Sequence, residues 1–167
     1  KYRQYGIYNQ TYQNQFIKTP HIIKNEEDKS KPIYSFETPL NKSDPLRGHS
    51  EIANLIADSN LWYINAHTKG DCADFALVNP GTIRDNFNVK DVTEEKIIST
   101  LPFTVSKLIK TQLSKKQIIE TLAHGAKSTT FGKVSPGIMQ VSGLEYTIEK
   151  DLSVSNIHIL NQDGTIK

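Results

Sequence analysis

Cysteine is nearly absent. The 167 residues contain one, Cys72, which excludes an internal disulfide framework and any cysteine-rich zinc site made by this chain alone. No apolar run approaches the roughly 18 residues of a transmembrane helix, and no charged start followed by an apolar stretch marks a signal peptide. Neither sign of charge dominates: 20 Lys and Arg stand against 18 Asp and Glu, a formal balance of +2. That field is too weak to make a nucleic acid or a membrane surface the partner, so any anion binding must be local. The five histidines, His21, His49, His67, His124 and His158, show no H-E-x-x-H or similar ligand spacing, so no metal site is expected from this chain. What remains is ordinary: 37% hydrophobic and 23% charged residues fit one compact domain. Because the chain starts at Lys1 rather than Met, we expect a processed or excised piece of a longer product.

Residues 1–32 are rich in Tyr, Gln, Asn and Lys and end in a charged stretch closed by Pro32. They are expected to be an irregular or weakly helical approach segment or linker. From Ile33 onward, short β-rich runs alternate with helical ones, which predicts a folded body of the α+β class with mixed α/β layers over residues 33–167. Residues 33–37 read as a strand. Ser50 is placed to cap a helix reaching about His67, with Ile52, Leu55, Ile56, Ser59, Tyr63 and Ala66 on its inner face. Residues 73–78 form a candidate buried strand that runs into a Pro-Gly turn. Thr93, followed by Glu94 and Glu95, opens a short helix stopped by Pro102. Residues 105–113 read as a strand, Ser114-Lys115-Lys116-Gln117 as a capping box, and Gly125 as the breaker of the helix that follows. Residues 138–150 and 156–160 read as β structure, with Asp163-Gly164 as a turn.

Several stretches taken in order resemble the C-terminal domain of the 5'-nucleotidase family. Asn54-Leu55-Ile56-Ala57-Asp58 resembles the family's Asn-Leu-Ile-x-Asp helix, and Asn79-Pro80-Gly81-Thr82-Ile83-Arg84 its Asn-Gly-Gly-Gly-Ile-Arg turn. Asp91-Val92-Thr93 and Leu101-Pro102-Phe103 resemble the Asp-Val-Thr helix ending in Leu-Pro-Phe-Gly-Asn. The helix Gln117 to Gly125 and the run Gln140-Val141-Ser142-Gly143-Leu144 resemble its Leu-rich helix and Gln-Val-Ser-Gly-Leu strand. Residues 1–32 carry no such likeness.

The resemblance implies a 5'-nucleotidase-like phosphoric ester hydrolase divided between two domains. An N-terminal metallophosphoesterase domain, absent from this chain, holds two divalent metal ions and hydrolyses the ester. The C-terminal domain binds the nucleotide or nucleoside and presents its phosphate, with no catalytic residue and no metal ligand of its own. Alone, this chain is then expected to be inert. An extracytoplasmic location, periplasmic, secreted or at the cell surface, is implied in the same way.

Four residues are carried over as substrate-binding. Arg84, read alone, is either a surface arginine paired with Asp85 or a helix end, or a fork for phosphate or ribose oxygens; the resemblance selects the fork. Asn79 is a turn former, or a donor and acceptor for a base edge or ribose hydroxyl. Phe103 is a core residue after proline, or a stacking face for the base. Arg47, just before the first helix, is a helix-entry residue or a phosphate contact, and His49 is weighed beside it.

Departures from the pattern matter as well. Pro80 replaces the first glycine of the turn and has no amide donor, Thr82 replaces the third, and Thr104-Val105 stands where the family has Gly-Asn. The sequence also stops before the family's final aromatic segment, so the domain is expected to be truncated at its C-terminal end. Two other readings follow: a divergent binding or interaction module of the same fold without turnover, and hydrolysis of a small sulfur anion. Phe103 argues against the second, because such an anion needs no stacking face.

Overall fold

The computed structural model describes residues 2–5, 29–36, 40, 50–70, 72–87, 91–103, 106–127 and 137–167. The elements are strands β1 (Tyr2–Tyr5) and β2 (Pro32–Ser35), helix α1 (Glu51–His67), β3 (Ala76–Val78), a 3-10 turn (Pro80–Thr82), β4 (Asp91–Thr93), α2 (Glu94–Thr100), α3 (Lys115–Lys127), β5 (Gln140–Ser142), β6 (Leu144–Ile148) and β7 (Val154–Ile159). The described strands form small antiparallel sheets in the orders β1-β6-β7, β2-β4 and β3-β5.

The helix starts follow the local chemistry that the sequence announces. Ser50 accepts a hydrogen bond from the Ala53 amide at 3.1 Å, and Thr93 accepts one from the Lys96 amide at 3.1 Å. At α3 the capping box is reciprocal: Ser114 Oγ accepts from the Gln117 amide at 3.3 Å, while Gln117 Oε1 accepts from the Ser114 amide at 2.8 Å. These bonds satisfy amide donors that the first turn of a helix leaves unpaired.

Two apolar clusters fill the interior. The first gathers Ile52, Ala53, Leu55 and Ala57 of α1 with Phe36, Leu40, Val78, Ile83, Phe87 and Val92. The second sets Leu122 and Ala126 of α3 against Ile138, Val141, Leu144, Tyr146 and Ile148. Strand β5 is the wall between them, buried at all three positions. Because neighbouring side chains on a strand point to opposite faces, Val141 belongs to the α3 cluster while Gln140 and Ser142 turn toward α1. Gln140 Oε1 accepts the Ser50 amide at 2.8 Å, so a buried side chain of β5 fixes the start of α1. Gly143 then lets the chain pass into β6 with φ +68°; a Cβ there would lie 2.4 Å from the Asp74 carbonyl oxygen. Tyr146 is fully buried, its hydroxyl donates to the Met139 carbonyl at 2.7 Å, and burial pushes its phenol well above the usual range.

Several expectations need correction. Tyr2–Tyr5 is a strand paired with β6, Tyr2 opposite Ile148, rather than irregular or weakly helical chain. The inner face of α1 carries Ile52, Ala53, Leu55, Ala57 and Leu61, whereas Ser59, Tyr63 and Ala66 are exposed. The expected face skipped polar Asn54 and Asp58, whose side-chain oxygens are nevertheless buried. The strand at residues 73–78 is confined to Ala76–Val78. Residues 106–113 form no strand, and Ile109 is 85% exposed. Gly125 does not end α3, which runs to Lys127. Glycine is needed there because a Cβ would lie 2.3 Å from the Gly137 carbonyl oxygen. Thr104 and Val105 lie outside the described residues.

Candidate functional site

The site begins where β3 leaves the sheet. Asn65, near the end of α1, clamps the loop before β3 by accepting the Ala73 amide at 2.7 Å and donating to the Ala73 carbonyl at 3.0 Å. At the far end of β3, Asn79 caps the 3-10 turn: its Oδ1 accepts the Gly81 amide at 2.8 Å. Its carbonyl accepts from the Thr82 hydroxyl at 2.9 Å and the Thr82 amide at 3.2 Å. Pro80 sits at the first position of that turn, where its missing amide costs nothing. None of Pro80, Gly81 and Thr82 has a positive φ. The two substitutions in the glycine-rich pattern thus fit a tight helical turn with no backbone strain.

After the turn the chain is extended and its side chains alternate. Ile83 is fully buried in the first cluster, and Arg84 faces solvent. The Arg84 amide donates to the Thr100 carbonyl at 2.9 Å, tying the loop to the end of α2. Thr100 is itself buried, and its hydroxyl donates to the Lys96 carbonyl at 2.7 Å. That tie sets Arg84 beside the segment leaving α2. The guanidinium carbon lies 4.9 Å from the centroid of the Phe103 ring, which is 43% exposed. A cation over an exposed aromatic face is worth about 0.5–1 kcal/mol. Asp85 is paired with Lys96 at 2.6 Å, so the neighbouring carboxylate is held by another cation.

The residues singled out from sequence fare differently. Arg84 and Phe103, 19 positions apart in the chain, are brought together at one surface. Asn79 lies on the same loop as Arg84 and is exposed, with its oxygen committed to the turn. Arg47 and His49 lie outside the described residues. Sequence reasoning passes over Thr100 and Lys96, which hold the loop and Asp85; only the hydroxyl spacing at the end of α2 hints at the first. It also passes over the buried oxygens of Asn54, Asp58 and Ser142. Among the described residues, no three His, Cys, Asp or Glu side chains gather to hold a metal ion. No described helix is long and apolar enough to cross a membrane.

Comparison with known proteins identifies the family of the domain that carries these residues. Residues 32–166 match the family model described as 5'-nucleotidase, C-terminal domain. Among solved structures, the fold resembles the 5'-nucleotidase precursor from Thermus thermophilus, with a TM-score of 0.60 and 23% identity. The match covers 81% of this chain and 26% of that one, so the present chain spans about a quarter of its solved relative. No curated protein matches the chain.

Proposed function

The chain belongs to the 5'-nucleotidase C-terminal-domain family, and from that premise we propose that it is the nucleotide- or nucleoside-recognition domain of a two-domain phosphohydrolase. The observation that carries the reading is the exposed pair of Arg84 and Phe103 at 4.9 Å. A base stacks on the ring surface that Arg84 leaves open, a contact worth roughly 1–3 kcal/mol per base. The guanidinium donates to phosphate or ribose oxygens through charge-assisted hydrogen bonds. Asn79 adds its amide N–H groups, since its oxygen is held by Gly81. Arg47 is a further phosphate contact in this proposal.

Hydrolysis itself belongs to a metal-bearing N-terminal partner domain, with divalent cations in an extracytoplasmic setting. This chain's residues bind, orient and shield the nucleoside end. The test is phosphate release from nucleoside monophosphates by the full-length protein, with Phe103→Ala and Arg84→Ala compared with the parent. Truncation of either residue is expected to raise KM or lower kcat/KM about tenfold or more; an unchanged kcat/KM removes that residue from the site. Nucleoside binding without phosphate release by the full-length protein establishes the non-catalytic binding module instead.

A further inference from the structure

Around the seam between α1 and β5, three buried oxygens lack partners: Asn54 Oδ1 and Asp58 Oδ1 on the helix and Ser142 Oγ on the strand. Asn54 and Asp58 are one helical turn apart on α1 and so share a face. Ser142 stands opposite Ala76 in the β3–β5 pair, and β3 leads directly into the Asn79 turn. A hydrogen count shows what this group lacks. An amide oxygen and an ionised carboxylate only accept, and the single hydrogen in the set is on the Ser142 hydroxyl. With Asp58 ionised, the Ser142 hydroxyl carries the one hydrogen that the Asp58–Ser142 pair has to share. A proton on Asp58 supplies a second donor, and buried polar atoms without partners each cost about 1–3 kcal/mol.

We propose that Asp58 works as the protonated acid, donating to Ser142, so that the seam between α1 and β5 is a proton-dependent latch at the start of β3. The electrostatic surroundings agree. Burial pushes the Asp58 carboxyl up to about 7; the Ser142 hydroxyl, close by though it makes no formed hydrogen bond, pulls more weakly the other way. The strands packed against α1, Ala76–Val78 and Gln140–Ser142, carry no titratable side chain. On α1 the other titratable groups, Glu51, Tyr63 and His67, are all exposed. Next to Gly143, Asp74 is exposed and paired with Lys167. Among these described groups no cation lies against Asp58 to hold it ionised. This inference rests on the seam alone and stands or falls separately from nucleotide recognition.

One competing arrangement supplies the missing donor without a proton. Rotating the Asn54 amide would turn Nδ2 toward Asp58 and favour the carboxylate. The two arrangements differ in one readable number. Full-length protein labelled with 13C at aspartate Cγ is titrated by NMR, and the Asp58 resonance is identified by its loss in Asp58→Asn. A midpoint near 7 is expected. A midpoint near 4, with the carboxylate fully formed by pH 6, overturns the latch. Should Asp58→Asn not fold, Ser142→Ala identifies the same resonance by moving its midpoint upward, because the hydroxyl that favours the charged form is gone. If no aspartate with a near-neutral midpoint responds to Ser142→Ala, the proposal fails.

Discussion

Strand β5 has two sides, and they are built on opposite principles. Toward α3 it presents Val141 to an apolar cluster of Leu122, Ala126, Leu144 and Ile148, joined by Tyr146 with its hydroxyl anchored on the Met139 carbonyl. Toward α1 it presents Gln140, which accepts the amide at the helix start, and Ser142, which lies by the Asp58 carboxyl. The apolar side gains stability from area removed from water and is indifferent to pH. The polar side fixes position, since a hydrogen-bonded contact tolerates one geometry where an apolar one tolerates several. Strand β3, paired edge to edge with β5, continues both faces: Leu77, opposite Val141, packs on the α3 cluster, and Val78, opposite Gln140, belongs to the α1 cluster. Positional precision and bulk stability are therefore assigned to opposite faces of one strand.

That contrast can be broken or sharpened. The largest effect is expected from Leu122→Ala on the apolar side, a fully buried residue whose loss should cost about 2–5 kcal/mol, equally at pH 5 and pH 8, in denaturant unfolding. On the polar side, the effect of Asp58→Asn should depend on pH. The folded state raises the Asp58 carboxyl from 3.8 to about 7, so the native chain binds the extra proton. The stability this contributes is full below pH 4, falls as the pH rises, and is gone above pH 7. The slope is at most about 1.4 kcal/mol per pH unit. Asp58→Asn should therefore remove that decline, and the variant should melt above the parent at pH 8. Parallel melting curves from pH 4 to pH 8 would show that Asp58 is not buried as a neutral acid.

Next in size, Gln140→Ala strips the Ser50 amide of its buried acceptor and should cost about 1–3 kcal/mol, with hydrogen exchange rising first at the start of α1. Smallest is Phe103→Ala. The ring is half in solvent, so stability should move by less than about 1 kcal/mol while nucleoside binding, measured by calorimetry, falls about tenfold or more. A large loss of stability there would make Phe103 a core residue after all.

Much of this fold is legible in the sequence wherever the signal is local. Ser50, Thr93 and the Ser114–Gln117 box are caps in the structure because a hydroxyl or amide side chain reaches its own first turn. The pairing of Arg84 with Phe103 is reachable only through family resemblance, since nothing in either residue's neighbourhood specifies the other. Periodicity misplaces the face of α1 because it counts apolar residues, whereas this helix buries the side-chain oxygens of Asn54 and Asp58, the latter beside Ser142 of a strand more than 80 positions away. Gly125 misleads for a related reason. Glycine is a helix breaker by its own conformational freedom, but here it answers a backbone oxygen at Gly137. The run at 105–113 has strand composition without, among the described residues, a strand partner, and composition alone cannot supply one.

The two-sidedness of β5 also bears on how the chain avoids pairing errors. Strand side chains alternate with a period of two, so a slip of one residue against β3 exchanges the faces. Such a slip would drive Gln140 and Ser142 into the α3 cluster and put Val141 opposite Asp58 and the Ser50 amide. Both interiors would be wrong at once, one with polar groups in oil and the other with donors facing a hydrocarbon. A strand of only three residues, Gln140–Ser142, too short to define its register by its own ladder, is in this way aligned by rejection from both sides.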